Sequence, residues 1–368
     1  MCSAAGRVLL GAFLLGAGPR LSASEPGGRA APSRPGAGST PLPSTPAVPS
    51  AGSGTRKFGS SDYLSVVDAA ARLGLRAGAG ERGRKASLVG NGTRADLEKD
   101  SREVTANGLR VFLGEPVLEF GGQLYVSRID FERALAPLLK PGFGVPALAA
   151  PKIVVLDPGH GGKDNGTSAN EKTFALDVAR RVKRILETAG HQVVLTRDAD
   201  VFLDLPQRSA LAVTHGAQLF ASIHFNALPN DAKTSGVEIF TFAPQNQRST
   251  NSWGPREGGD AEREAAPVNR FDHWSSLLAH SLQRRFVDDL KTFDRGKKIA
   301  HWGVLRGLTC PGVLVECGFL TSREEARKIA TGAYRQKIAE AIAAGIREYA
   351  AAVERARAAR VAAGSASS

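Results

Sequence analysis

Cysteine is scarce in this chain: three residues, at positions 2, 310 and 317, among 368. That excludes a small fold held together by disulfides. Aromatic residues make up 6%, and nowhere do they interleave with lysine and arginine as single-strand nucleic-acid binders require, so nucleic acid is not an expected partner. Long apolar runs are missing too, apart from one at the extreme N-terminus, which excludes a polytopic membrane protein. No compositional bias covers the chain. Hydrophobic residues at 42% and charged residues at 23% are ordinary for a folded protein with a real core. Acidic residues are outnumbered 36 to 48, giving a net charge of +12. A basic surface favours an anionic partner without choosing among polymers and lipids.

The sequence divides by composition. In residues 1–24, Arg7 precedes the apolar stretch Val8–Ala17, and Ser22-Ala23-Ser24 offers small residues for cleavage. This is the pattern of an export signal, and the apolar stretch is far short of the ~20 residues of a membrane span. The expected location is therefore periplasmic or elsewhere in the cell envelope, with no membrane span after cleavage. Residues 25–56 hold seven of the chain's 20 prolines and no aromatic residue, as a disordered linker would. From 57 to 141 short strand candidates surround two short helices, the pattern of a small α+β domain. The segment resembles the small domain at the N-terminus of copper amine oxidases and on bacterial surface proteins. That resemblance implies attachment or spacing, and no copper chemistry. Residues 142–151 form a hinge.

Residues 152–360 alternate strand and helix. Ile153–Leu156 is a β-branched run fit for a buried strand. Phe174, Val178, Val182 and Ile185/Leu186 recur at helical spacing until Gly190. Further strands are expected at 191–196, 219–224, 236–242 and 313–317, with helices at 206–214, at 273–290 and from 324 onward. Such alternation predicts an α/β fold: a twisted, mostly parallel sheet with helices on both faces.

Three residues stand out at strand ends. His160 lies in Asp157-Pro158-Gly159-His160-Gly161-Gly162, directly after the first strand, where open α/β sheets bind ligands. The spacing is not that of a phosphate-binding loop. His224 ends a strand whose other face is apolar. Glu316 sits inside the apolar run Val313–Leu320. A buried carboxylate is expensive unless it is paired or at a metal, and burial raises its pKa toward the range of a general acid or base. Glu171 opens a helix, where a carboxylate also complements the helix dipole. Two histidines and a carboxylate match a catalytic zinc site, which uses three protein ligands and leaves a position open. The intervals of 11, 53 and 92 residues exclude a single helix-borne motif.

The runs Val154–Gly162, Glu171-Lys172, Thr196-Arg197-Asp198, Ser222–Asn226 and Val313–Leu320 together resemble the zinc-dependent N-acetylmuramoyl-L-alanine amidases over about 152–350. The resemblance implies Zn²⁺ ligated by His160, Glu171 and His224, with Glu316 as the catalytic residue. It implies hydrolysis of the amide between the lactyl group of N-acetylmuramic acid and L-alanine, with peptidoglycan as the partner. The loop from Gly161 to Asn170 is short; were the second ligand displaced, Glu187 or Glu238 would be its replacement. A zinc peptidase of the cell wall and a non-catalytic wall-binding protein are the alternatives. An activator protein is neither named nor excluded.

The remaining histidines, 191, 215, 273, 280 and 301, have no partner pattern. Cys310 and Cys317 are expected to stay as thiols, since an extended stretch separates them by roughly 20 Å. Ala243–Asp272 is long, polar and broken by glycine and proline, carries Glu257, Glu262 and Glu264, and is expected to act as a mobile lid over the zinc, the alternative being a solvated loop of no consequence. Because none of the four site residues precedes Pro151, a chain starting there is expected to fold and cleave soluble muropeptides.

Overall fold

The computed structural model describes residues 55–168, 170–251 and 260–365. The expected export signal and the linker up to residue 54 lie outside them, as do Trp253 and Glu257. The N-terminal part is built from short strands: β1 (Thr55–Phe58), β2 (Ser61–Ser65), β3 (Arg76–Ala79), β4 (Lys85–Gly90), β5 (Thr93–Glu98), β6 (Glu103–Ala106), β7 (Leu109–Phe112), β8 (Leu118–Phe120) and β9 (Gln123–Ser127). Helix α1 (Val66–Leu73) follows β2 because Ser65 caps it, accepting from the Asp68 amide, and Gly74 ends it in the left-handed region. A second helical stretch begins as α2 (Arg128–Asp130), passes through a π-turn and ends as α3 (Ala136–Leu139). Strands β1, β2, β9 and β8 form one antiparallel sheet, while β3 to β7 form an antiparallel meander. Leu64, Leu73, Leu88, Val111, Val126 and Phe131 are buried between them.

The C-terminal part contains β10 (Ile153–Pro158), α4 (Glu171–Thr188), β11 (Gln192–Leu195), α5 (Leu205–Thr214), β12 (Leu219–Asn226), β13 (Val237–Phe242), α6 (Asp272–Leu290), β14 (Asp294–Ala300), α7 (Gly303–Arg306), β15 (Gly312–Phe319), α8 (Arg323–Ile329) and α9 (Gly332–Ser365). Strands β11, β10, β12 and β15 run parallel, β13 is antiparallel to β15, and β14 is parallel to β13. This is the twisted, mostly parallel sheet that the alternation predicted. Alternation along each buried strand feeds two cores. Val154, Leu156, Ile223 and Val315 pack against α4, α6 and α9, whose stripe Ile338, Ile342, Ile346, Tyr349 and Val353 is buried. Val155, Phe220, Phe240 and Leu314 face α5 and α7 on the other side.

Strand β14 was not legible. Its sequence, Asp-Arg-Gly-Lys-Lys-Ile-Ala, reads as exposed loop, yet Lys297 and Lys298 are buried. The reason is the partner on its far side: β14 pairs with β7, Lys297 opposite Val111, so one sheet of eleven strands runs through both parts of the chain. The Lys297 ammonium is buried among Asp130 of the N-terminal part and Asp272 of α6, and burial lowers its pKa to about 8. Hydrogen bonds stitch the same seam. Arg110 N donates to Asp294 Oδ2 at 2.8 Å, Gln283 Nε2 to the Arg110 carbonyl at 2.9 Å, and Gly142 N to His273 Nε2 at 3.0 Å.

Two histidines of α6 are buried without charge. Burial, reinforced by Arg284 and Lys297, pushes His280 down to about 3, and its Nδ1 has no hydrogen-bond partner among the described residues. A histidine whose folded pKa lies below its unfolded value of about 6.5 takes up a proton on unfolding, so its stabilisation is lost as pH falls from 6.5 toward 3. Between pH 7.5 and pH 5 the parent protein should therefore lose about 2 kcal/mol more stability than His280→Gln. Chemical denaturation of both at the two pH values measures this. Parallel curves would mean that His280 is not held neutral.

Candidate metal centre

The loop after β10 is forced close to its surroundings. Its carbonyls are gathered by two buried arginines: Arg208 donates to Pro158 O at 2.9 Å and His160 O at 2.8 Å, and Arg197 to Pro158 O at 3.0 Å and Gly159 O at 2.7 Å. Arg208 also pairs with Asp157 at 2.9 Å, a carboxylate that accepts from Ser222 and Thr196 as well. Held in this way, His160 adopts φ of +59°, a conformation that costs a non-glycine residue about 1–2 kcal/mol. Glycine is required beside it. A Cβ at Gly159 would stand 2.3 Å from the His224 ring, and one at Gly166 would stand 2.3 Å from the Glu171 carboxylate.

His160, Glu171 and His224 converge and are all buried, with a ligand atom of each lying within 4.8 Å of the others. Glu171 Oε1 is 3.0 Å from His160 Nε2 and 3.2 Å from His224 Nδ1. Its other oxygen accepts from Thr167 N at 2.6 Å and Thr167 Oγ1 at 2.8 Å. Burial alone would raise the Glu171 pKa. The hydrogen bonds and charges of the two histidines outweigh it and hold the carboxyl far below its usual range. His160 also meets Asp164, its Nδ1 lying 2.8 Å from Oδ2. Against the effect of burial, Asp164 and Glu171 raise His160 to about 9. His224 is instead lowered, chiefly by burial. Two imidazoles and a carboxylate oxygen form a donor set that suits zinc, and the Asp164 contact with His160 Nδ1 leaves Nε2 for the metal.

Glu316 lies opposite His224 on the neighbouring strand. Beyond this pair the register shifts, with Asn226 opposite Phe319, and Gly318 takes φ of +146°. This is a bulge of the kind that re-aims side chains near sites. The Glu316 carboxyl is buried and its Oε2 has no hydrogen-bond partner among the described residues. Burial first, then the charges of Glu171 and Glu238, push its pKa well above the carboxylate range. The arrangement thus offers a three-donor cradle beside a buried carboxyl group whose protonated form is favoured by its surroundings.

The two substitutes considered for Glu171 are elsewhere. Glu187 pairs with Lys183 near the far end of α4, about 24 Å along the helix from Glu171. Glu238 is bound by Arg295 and Lys298. None of the other five histidines joins the cluster, and Cys310 and Cys317 are free and buried. The expected lid fails on topology. Because β13 runs antiparallel to β15, with Glu238 opposite Glu316 and Phe240 opposite Leu314, Ala243–Asp272 leaves the sheet at the end away from the cluster. Its described portions are tied down there: Asn246 N donates to Glu262 O, Glu262 pairs with Arg306, and Ser249 binds Asp260. Sequence reasoning missed Arg208, Asp164 and Thr167. Of these, only Arg208 left a signal, sharing the inward face of its helix with Ala212.

Residues 154–348 match the Amidase_3 family model, described as N-acetylmuramoyl-L-alanine amidase. The chain is 34% identical over 220 residues to N-acetylmuramoyl-L-alanine amidase AmiA of Escherichia coli, an alignment spanning 54% of this chain and 76% of that protein. It is 34% identical over 202 residues to N-acetylmuramoyl-L-alanine amidase LytC of Bacillus subtilis, spanning 54% of this chain and 35% of the relative. Among solved structures it is similar to N-acetylmuramoyl-L-alanine amidase AmiC2 of Nostoc punctiforme, with 33% identity, a TM-score of 0.44, and 54% and 96% of the two chains covered.

Proposed function

The chain belongs to the N-acetylmuramoyl-L-alanine amidase family, Amidase_3 type, and from that premise we propose a zinc-dependent hydrolase of bacterial peptidoglycan. It cleaves the amide bond between the lactyl group of N-acetylmuramic acid and L-alanine of the stem peptide. The observation that carries the zinc reading is the buried convergence of His160, Glu171 and His224. These three residues hold the ion. When bound, zinc supplies Lewis acidity, which makes water a better proton donor and the scissile carbonyl a better electrophile.

The protein's own groups do the rest. Glu316 accepts the proton of the attacking water and returns it to the leaving amine of alanine. Its environment suits that exchange, since a raised pKa lets one carboxyl serve as base and then as acid. Arg197 and Arg208 hold the His160 loop rigid, so that ligand does not have to be organised during turnover. Residues 1–24 direct export, in keeping with a polymer substrate outside the cytoplasm. No helix among the described residues is long and apolar enough to cross a membrane. Residues 57–141 form the small α+β domain and contribute to attachment. Any activator protein is outside this reading.

The test is digestion of a purified muropeptide by the full chain, with products read by mass spectrometry. The expected products are free lactyl-muramic acid and a peptide with a new N-terminal alanine. A chelator should abolish the reaction and added zinc should restore it. A new amine elsewhere in the stem, with the lactyl amide intact, would make the protein a peptidase. Activity that survives chelation would remove the metal.

A further inference from the structure

Arg295 is the second residue of β14, at the end of the sheet where His224 and Glu316 lie. Its Nε donates to Glu238 Oε1 at 2.8 Å, and Lys298 Nζ reaches the same oxygen at 2.7 Å. Glu238 Oε2 accepts from Asn226 Nδ2 at 3.1 Å. The guanidinium lies 5.1 Å from the centroid of the Phe319 ring. Room for its stem is made by Gly236, where a Cβ would stand 3.0 Å from Arg295 Cγ and 2.3 Å from the Phe293 carbonyl. The side chain is thus fixed on two sides, yet 22% of it is exposed. Its Nη1 and Nη2 have no partner among the described residues. Two cations share one carboxylate here, so the local charge is not balanced.

The position relative to the candidate metal centre follows from the register. His224 is opposite Glu316, and Glu316 is opposite Glu238, so all three share a face, and Glu238 stands about 10 Å from His224 at ordinary strand spacing. The guanidinium attached to Glu238 therefore lies a short peptide's length from the cluster. In a peptidoglycan stem, the residue after alanine is linked onward through its side-chain carboxyl. Its α-carboxylate is left free, about 7 Å along an extended chain from the scissile bond.

We propose that Arg295 is a specificity-determining residue, its free amino pair binding this α-carboxylate in the forked geometry that guanidinium and carboxylate share. The proposal rests on the amidase reading above. Glu238, Lys298 and Phe319 are the groups that aim the fork.

The experiment compares two soluble muropeptides that differ only in this group, one with the free α-carboxylate and one with the α-carboxamide. The zinc-loaded full chain should cleave the free acid with a kcat/KM roughly ten- to hundredfold higher, mostly through KM. In Arg295→Gln the ratio should fall to near one. Arg295→Lys, which keeps the charge but not the fork and preserves the pairing with Glu238 for folding, should give an intermediate ratio. Thermal melts identify variants that stay folded. A parent ratio near one, or a ratio unchanged in a folded variant, overturns the proposal. Failure of the parent to cleave either muropeptide overturns the amidase reading instead.

Discussion

Glu316→Gln should retain the fold and its bound zinc but lose about 10²–10⁴-fold in kcat, the usual contribution of a general acid–base group. The substitution keeps the shape of the side chain and removes only its ability to exchange a proton. The three proposed metal ligands are untouched, so zinc content should remain stoichiometric. Stability should hold or rise. The native carboxyl is buried, lacks a partner for Oε2, and lies near Glu171 and Glu238, and an amide in its place carries no charge to desolvate. Metal analysis, a thermal melt and muropeptide turnover on the same preparation test all three points. A loss of less than tenfold with full zinc would take Glu316 out of the mechanism.

Removing residues 1–150 should lower the melting temperature of what is left by about 10 °C or more, from the loss of several kcal/mol in a chain of this size. The four site residues all survive this deletion, which is why the sequence alone favours a dispensable N-terminal part. The seam argues otherwise. Gln283 and Asp294 would lose Arg110, His273 would lose the Gly142 amide, and Ser276 would lose the Arg133 carbonyl. Water can replace these partners, but it cannot replace the contacts of Phe112 and Ala134 along the same boundary. Calorimetry of the full and shortened chains, each with zinc, decides the matter. Equal melting temperatures would make the small domain an independent appendage.

The fold class was legible because its signals are periodic. Val178, Val182 and Leu186 mark one helical stripe and Ile338 to Val353 another, and the core strands are β-branched runs ended by glycine or a polar turn. The cluster was legible for a different reason: His160 follows the first strand in a glycine-rich loop, His224 ends another strand, Glu316 interrupts an apolar run, and family resemblance supplied Glu171. What sequence hid depends on contacts distant in the chain. Lys297 and Lys298 look solvated until β7 is placed beside them. The lid reading failed because strand direction decides at which end a loop emerges, and composition does not encode direction. Arg208 and Thr167 act on backbone and carboxylate groups that only the folded loop brings within reach.

The run of the sheet through both parts of the chain also determines where its open rims fall. The eleven strands end on β11 and β3, each four residues long. Without β7, one rim would be the seven-residue β14, with five buried residues in succession. An exposed strand of that length is a template for pairing with another chain, and short terminal strands are among the means by which folded proteins avoid it. By pairing with β14, the N-terminal part moves the free rim to the four-residue β3, and removing it is expected to leave β14 open to edge-to-edge pairing with a second copy.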